Sequence, residues 1–295
     1  MHRIEQQVFL NGRFIRRSEA TLDIEDRGFM FSDGVYEVVR YYAGHPLAID
    51  RHHHRMRQGL DAIEIESPTE FDRFCQLSDE LVQRNGLSDA KVYWQVTRGA
   101  APREHDSRAP LTPTALMIAY PAAPLDPTTP VPTASVILTP DIRWQRCCVK
   151  TIMLLPNVLA KRRARSAGAV EAIFHRDGLV TEGAATNVLI VRRGALWTHP
   201  ADSWILNGIT RQLVIESAKQ QGIAVQEQAF TTQQLQDADE ALLCGTTTHV
   251  TAITKLDGQT LGQGEAGPVT TRLHRALMRR IDHDCLNKSQ PTSKR

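Results

Sequence analysis

A proline-rich segment near the middle of the chain constrains the fold most. Residues 121–132, PAAPLDPTTPVP, hold five prolines in twelve positions. Each proline fixes its own φ and lacks a backbone N–H, so the segment cannot run inside a helix or a central strand. We therefore predict a linker that divides the 295-residue chain into a small N-terminal domain over 1–120 and a larger domain over 133–286, followed by a polar tail over 287–295.

Short apolar runs alternate with helical patterns in both parts of the chain. Hairpin turns are predicted at Asn11-Gly12, Ala43-Gly44, Asp177-Gly178 and Asp257-Gly258. Helices are predicted over residues 51–63, 70–84, 157–167, 211–221 and 268–281. Strands are predicted over residues 91–97, 115–120, 135–139, 170–174, 186–191, 224–228 and 240–244. Strands and helices mixed in this way predict an α+β protein of two domains.

The charge balance and the cysteine content limit the kind of protein this can be. There are 35 basic and 33 acidic residues, a net charge of +2, which indicates neither a nucleic-acid partner nor a membrane surface. No apolar run approaches membrane-spanning length, and the N-terminus lacks the pattern of a signal peptide. The five cysteines include no CxxC pair, and His52–His54 lack partners at ligand spacing. These features predict a cytoplasmic globular protein with free thiols and no metal site.

Lys150 is the lysine whose surroundings are least typical of a surface residue. It lies in CCVKTIMLL, whereas the other six of the seven lysines lie in helices, at a turn, at a strand start or in the tail. Burying an unpaired lysine favours its neutral amine, which is the form that Schiff-base chemistry requires. The alternative is an edge-strand lysine whose amine reaches water. The local sequence alone favours that alternative.

Glu182 is a second candidate for chemistry. In VTEGAATNVLI it follows a predicted hairpin and lies between an apolar strand and small residues, which indicates a partly enclosed carboxylate. In an enzyme with a pyridine cofactor, such an acid keeps the ring nitrogen protonated and makes the ring an electron sink. The alternative is a turn residue paired with a nearby arginine.

Three stretches could bind anions. Gly208 precedes a helix that starts near Thr210, where free amides and a hydroxyl meet, although such a sequence is also ordinary capping. CGTTTHVTAI supplies Gly245 and three threonines in a stretch predicted to be irregular. Residues 98–108, RGAAPREHDSR, form a loop with three arginines and His105. Arginine and histidine together suit a carboxylate, and a solvated charged loop is the alternative.

Seven segments, taken together and in their order, form a pattern that is specific although no single segment is. They are EDRGFMFSDGVYEVVR (25–40), HHHRM (52–56), QVTRGAAPREH (95–105), DIRWQRCCVKTIMLLPNVLAKRRA (141–164), VTEGAATNVLIV (180–191), THPADSWILNGITR (198–211) and LCGTTTHVTAI (243–253). In this order they resemble the D-amino acid aminotransferases of the fold-type IV group. The resemblance runs from about Val8 to Ile281 and implies that group's two-domain α+β fold, with pyridoxal 5'-phosphate held by the C-terminal domain.

The resemblance implies which residues hold the cofactor. Lys150 would bind it as a Schiff base and later move the substrate's proton, and Glu182 would bind the pyridine nitrogen. Leu206 would pack against the ring, and Arg143 would support the catalytic residues. The phosphate would be held by Arg55, Ile209, Thr210, Gly245 and Thr246.

The resemblance also implies how the substrate is held. Tyr36 would line the substrate pocket, and Arg103 and His105 would bind the substrate carboxylate from the neighbouring subunit of a homodimer. The sequence departs from the family in two places. Gly245 replaces a serine found in some relatives, which removes one phosphate-binding hydroxyl. Ala184-Ala185 replace serines after the glutamate, which puts the water network behind the ring in doubt.

The activity implied is transfer of the amino group of D-alanine or a related D-amino acid to 2-oxoglutarate. Several other functions fit parts of the pattern. A branched-chain L-amino acid aminotransferase needs the same lysine, glutamate and phosphate cup, but the pair Arg103 and His105 favours D-amino acids. A lyase acting on aminodeoxychorismate shares the fold, without a motif in this chain that indicates it. A non-catalytic binding protein on this scaffold should lack Lys150.

Overall fold

A computed structural model of the chain describes residues 6–106 and 110–287. They form two compact units. The first contains the chain up to Leu125, the segment Val149–Met153 and the residues from Ile281 on, and the second contains Asp126–Cys148 and Leu154–Arg280. The break after Leu125 lies within the proline-rich segment, whereas Val149–Met153 groups with the first unit. The domain boundaries derived from the sequence stay a prediction, and residues 288–295 of the predicted tail lie outside the described residues.

The first unit is built on a six-stranded sheet with the order β2-β1-β6-β5-β3-β4, in which all pairs are antiparallel. Its strands are β1 (Gln7–Leu10), β2 (Arg13–Arg16), β3 (Gly34–Tyr42), β4 (His45–Pro46), β5 (Ala90–Thr97) and β6 (Thr114–Pro121). Asn11 and Gly12 both have positive φ, as the two-residue turn between β1 and β2 requires. The sheet therefore forms through the hairpins that the sequence predicts.

Three α-helices accompany this sheet: α1 (Arg27–Phe31), α2 (Ile49–Ala62) and α3 (Phe74–Arg84). A cluster of aromatic rings forms the core beneath α3, where Phe74 lies at 5.8 Å from Trp94 and 6.4 Å from Phe9 between ring centroids. All three side chains are buried. Strand β3 and helix α2 of the same unit carry the polar side chains described below.

The second unit is built on a nine-stranded sheet with the order β12-β11-β10-β13-β14-β7-β8-β9, with β15 paired to β14. Its strands are β7 (Thr133–Pro140), β8 (Glu171–Arg176), β9 (Leu179–Gly183), β10 (Asn187–Arg192), β11 (Ala195–Thr198), β12 (Val225–Glu227), β13 (Glu240–Gly245), β14 (His249–Leu256) and β15 (Gln259–Thr260). The pairs β14–β7, β7–β8 and β11–β12 are parallel, and the others are antiparallel.

The helices of the second half are α4 (Leu155–Ser166), α5 (Ile209–Gln220), α6 (Thr232–Gln236) and α7 (Pro268–Ile281). A core cluster that includes Val136, Ile190, Phe230 and Leu243 lies on the sheet. Among the described residues, no helix is long and apolar enough to span a membrane.

The predicted helices and strands are confirmed to within a few residues, with three corrections. Strands β9 and β11 were not predicted. Glu182 was predicted to follow a hairpin, but it lies inside β9. The hairpin predicted around Ala43-Gly44, over residues 34–49, ends earlier, because residue 49 begins α2. The CGTTTHVTAI stretch is regular except at residues 246–248, since β13 and β14 pair on both sides of that turn. For β9, β11 and β14, backbone pairing with a neighbouring strand overrides the local polarity.

Candidate functional site

Lys150 lies in a short extended segment of the first unit. Its carbonyl accepts a hydrogen bond from the Tyr36 N–H at 3.0 Å, and the Ile152 N–H donates to Gly34 at 3.1 Å. The Lys150 amine lies 4.3 Å from the centre of the Tyr36 ring. Within the described part of the chain, no carboxylate forms an ion pair with this amine. The structure thus presents a half-buried, acid-free amine on an aromatic ring, which suits attack on a carbonyl.

Tyr36 is itself held by a second tyrosine. The rings of Tyr36 and Tyr93 are stacked, with centroids 5.6 Å apart, and the Tyr93 hydroxyl donates to Gln95 at 2.6 Å. Burial raises the pKa of Tyr93, so this hydroxyl stays protonated. The position of Tyr36 is therefore fixed on one face of β3.

A buried carboxylate occupies the neighbouring position of β3. Glu37 is fully buried and accepts two hydrogen bonds from Arg55, at 2.6 and 2.8 Å, and one from His52 at 2.7 Å. Burial raises the pKa of Glu37, but the charges of Arg55 and His52 and their hydrogen bonds together lower it by more, so its pKa lies well below the usual range. Burial also lowers the pKa of His52. Glu37 thus stays ionised and fixes the Arg55 guanidinium by a bidentate contact.

The loop after β5 presents Arg103 and His105, both exposed, on one aromatic ring. The Arg103 guanidinium lies 5.3 Å from the centre of the Phe31 ring, and the His105 ring centroid lies 5.6 Å from it. Residues 107–109 lie outside the described residues. Two nitrogen-rich side chains on one support can bind a carboxylate.

Glu182 is the centre of the polar network of the second unit. It is 5% exposed in β9. One carboxylate oxygen accepts from Arg143 at 2.5 Å, and the other accepts from the Asn187 side chain and the Leu206 N–H, both at 3.0 Å. Arg143 also donates twice to Asp141, at 2.9 Å each. Although burial lowers the pKa of Arg143, Glu182 and Asp141 raise it by more, so the guanidinium stays charged.

Asn187 connects Glu182 with the start of α5. Its side-chain amide also donates to the Leu206 carbonyl at 2.8 Å. A β-carbon on Gly208 would lie 2.1 Å from the Asn187 side-chain oxygen, so only glycine fits there. Gly208 precedes Ile209 and Thr210 in the first turn of α5 and, as the N-cap residue, makes no side-chain cap hydrogen bond to the amides of this turn. These amides and the Thr210 hydroxyl fit an anion.

Glu171 accepts hydrogen bonds from the turn that contains Ala184 and Ala185. Its carboxylate accepts from the Ala185 N–H and from the Thr186 hydroxyl, both at 3.2 Å. At Gly245, an added β-carbon would meet its nearest neighbours at 3.6–3.7 Å, which is ordinary contact. A serine would therefore fit at Gly245, and its absence reflects no steric need. Asn187 in β10 pairs with Cys244 in β13. The turn that follows Gly245 therefore leaves the strand next to the one that contains Asn187.

The residues predicted from the sequence to form the site occur in both units. The first unit contains Lys150, Tyr36, Arg55, Arg103 and His105. The second contains the predicted residues Glu182, Arg143, Leu206, Ile209, Thr210, Gly245 and Thr246. Their roles stay predictions. Sequence reasoning missed Glu37, Asn187 and Glu171, for which the available signal was a polar residue inside an apolar strand or at its edge.

Comparison with known proteins gives the family. A model of the family described as amino-transferase class IV matches residues 34–256. The chain belongs to this family. This confirms the predicted resemblance to fold-type IV aminotransferases, the α+β fold and the pyridoxal-phosphate aminotransferase chemistry.

Relatives and solved structures cover nearly the whole chain. A D-alanine aminotransferase from Listeria innocua is 42% identical over 282 residues, which are 95% of this chain and 97% of that protein. The branched-chain aminotransferase of Thermoproteus uzoniensis with norvaline has a TM-score of 0.84 at 28% identity, covering 97% and 96% of the two chains. The branched-chain amino acid aminotransferase of Thermobaculum terrenum in its PLP form has a TM-score of 0.82 at 25% identity, covering 95% and 94%.

Proposed function

We propose that this protein transfers the amino group of D-alanine and similar D-amino acids to 2-oxoglutarate, giving pyruvate and D-glutamate in two successive half-reactions. The observation that carries the proposal is the pair Arg103 and His105, presented together on Phe31. Relatives called D-alanine aminotransferase at 42% identity support it. Branched-chain enzymes share the fold at 25–28% identity, which fits the alternative less well.

The residues present fit pyridoxal phosphate. Lys150 offers an amine without an acid partner in the described chain, Glu182 offers a carboxylate oriented by three donors, and α5 begins with uncapped amides. We assign the phosphate to Ile209, Thr210 and the turn at Gly245 and Thr246. The family resemblance also assigns Arg55 to the phosphate, and Glu37 fixes the orientation of its guanidinium.

When bound, the cofactor supplies an electron sink for the substrate's α-carbon. The Lys150 amine takes the proton from that carbon and releases it again within the same half-reaction. The Glu182 carboxylate holds a proton on the ring nitrogen, and Arg143 with Asn187 keeps that carboxylate in place. Leu206 supports one face of the ring, and Tyr36 bounds the substrate pocket.

A paired assay tests the substrate class. With 2-oxoglutarate as acceptor, kcat/KM for D-alanine is expected to exceed that for L-leucine or L-isoleucine by at least about a hundredfold, because the carboxylate contact decides which face of the α-carbon meets Lys150. A preference for the L-amino acids would establish the branched-chain alternative instead.

Arg103→Leu tests the carboxylate contact. A charge-assisted hydrogen bond contributes about 1.5–3 kcal/mol, so KM for D-alanine should rise roughly ten- to a hundredfold. The absorbance of the bound cofactor should stay unchanged, since the phosphate is assigned to other residues. Arg17→Leu, which removes an exposed arginine of the same unit over Tyr120, is the matched control. Unaltered kinetics in Arg103→Leu would mean that this loop is only a charged surface.

We also propose a cytoplasmic homodimer in which Arg103 and His105 serve the partner's active site. Ile24 and Phe29 flank this region of the first unit and are 78% and 80% exposed. Large apolar side chains left exposed together support coverage by a second copy. The free cysteines support a reducing compartment.

Mixing an inactive Lys150→Ala variant with the high-KM Arg103→Leu variant tests the shared site. A heterodimer of a Lys150→Ala subunit and an Arg103→Leu subunit would contain one complete site if the loop serves the partner. Random mixing should then restore low-KM activity in about a quarter of the sites. Sites confined to one subunit would give no low-KM activity, and sedimentation showing a fully active monomer would also contradict the proposal.

A further inference from the structure

Arg27 is a buried arginine that the reaction itself does not use. It is 7% exposed. Its guanidinium donates to the Glu104 carbonyl at 2.7 Å, to the His105 carbonyl at 3.2 Å and to the Asp33 carboxylate at 2.9 Å. The same guanidinium lies 4.8 Å from the centre of the Phe31 ring. Arg27 therefore contacts both the backbone of the Arg103/His105 loop and the ring on which those side chains lie.

The helix that carries Arg27 is joined to the start of this loop. The Asp26 carboxylate accepts from the Gly28 N–H at 2.8 Å and from the Thr97 hydroxyl at 2.9 Å, and the Arg27 N–H donates to Gly99 at 2.9 Å. A β-carbon on Gly28 would lie 2.2 Å from the Thr97 methyl group, so the two segments pack without space between them. The short helix α1 is thus a fixed support for the loop.

Asp33 anchors the arginine. It also accepts two hydrogen bonds from Arg98, at 2.8 and 3.1 Å. Burial raises the pKa of Asp33, but hydrogen bonds from Arg98 and Arg27 lower it by more, so the carboxylate is charged at neutral pH. Because this anchor is ionised, the Arg27 guanidinium has one orientation in which all three of its acceptors are satisfied.

We propose that Arg27 is a positioning residue for substrate specificity, which holds Arg103 and His105 in one geometry through the loop carbonyls and the Phe31 ring. This inference rests on the proposed carboxylate-binding role of Arg103 and His105. A long exposed arginine loses conformational freedom when it binds a ligand, and a support that orders it beforehand lowers that cost. Arg27 thus acts on substrate affinity without touching the substrate.

Arg27→Lys is the test. A lysine keeps the charge beside Asp33 but cannot hold both carbonyls and stack on Phe31. KM for D-alanine should rise about tenfold with kcat nearly unchanged. The dissociation constant of propionate, an unreactive carboxylate of similar size, should rise equally in calorimetry on the holoenzyme.

Arg40→Lys is the matched control. Arg40 is buried in the same unit, donates to the carbonyls of Tyr41, Ala90 and Ala123, and stacks on Tyr42 at 4.6 Å. Its replacement should lower thermal stability without raising KM. Phe31→Leu leaves the hydrogen bonds of Arg27 in place and removes the shared ring, so it should raise KM. This variant tests the positioning role if Arg27→Lys does not fold.

A double-mutant cycle separates positioning from general damage. If Arg27 acts through the loop side chains, Arg27→Lys should change KM little in an Arg103→Leu/His105→Leu background. A full, additive effect in that background would overturn the inference, as would an unchanged KM in Arg27→Lys while Arg103→Leu raises it. If Arg103→Leu itself leaves KM unchanged, the proposed carboxylate site fails and the inference fails with it.

Discussion

Replacing Glu182 by glutamine is expected to slow removal of the substrate's α-proton by roughly 10²–10³-fold while the cofactor stays bound. A neutral amide cannot hold a proton on the pyridine nitrogen as a carboxylate does, so the ring accepts electrons less well. The fold should tolerate the change because Asp141 keeps both of its hydrogen bonds to Arg143. The effect should therefore lie in the chemical step and not in folding.

Single-turnover kinetics with D-alanine and α-deuterated D-alanine measure this step. The isotope effect should increase in Glu182→Gln, since proton removal becomes fully rate-limiting. Glu240→Gln is the matched control, because Glu240 is a buried acid of the same unit that accepts from the Val269 and Thr270 N–H groups at the start of α7. It should lose stability and keep its rate. Near wild-type turnover in Glu182→Gln would mean that Glu182 only orders β9.

Replacing Lys150 by alanine is expected to lower kcat by about 10⁴-fold, the upper end for a positioned acid–base group. The variant loses both the covalent attachment and the base. An added small amine such as methylamine should restore part of the activity, because it can supply the missing base from solution. Lys161→Ala is the control, since the Lys161 amine contacts Glu171 at 3.3 Å and has no proposed part in the reaction. Near wild-type turnover in Lys150→Ala without added amine would exclude Lys150 as the base.

Much of the fold could be predicted because local signals agree with the tertiary structure. Turn pairs such as Asn11-Gly12 indicate hairpins, and one break between the compact units lies within the proline-rich segment. Strand β9 was missed because it is short and ends in Glu182 and Gly183, which read locally as a turn. Its strand state depends on pairing with β8. Local sequence does not contain that information.

The candidate site, like the fold, was predicted only in part from the sequence. Lys150 and Glu182 were predicted through the joint pattern of segments, whereas the local sequence of Lys150 alone favoured a surface lysine. The residues that position them were not predicted. Glu37 binds a guanidinium 18 positions along the chain, and Arg27 binds carbonyls 77 and 78 positions away. Contacts between residues so far apart in the sequence leave no periodic pattern of residue types. They become visible only once the backbone is folded.

Borohydride reduction of the purified protein, which should be yellow, tests the central assignment most directly. If Lys150 carries pyridoxal phosphate, reduction should fix the cofactor irreversibly, and peptide mass mapping should find it on the peptide that contains Lys150. Reduction in the presence of excess D-alanine should leave that peptide unmodified, because the substrate amine displaces the lysine. Cofactor found on Lys161, or no covalent cofactor after reduction, would contradict the account.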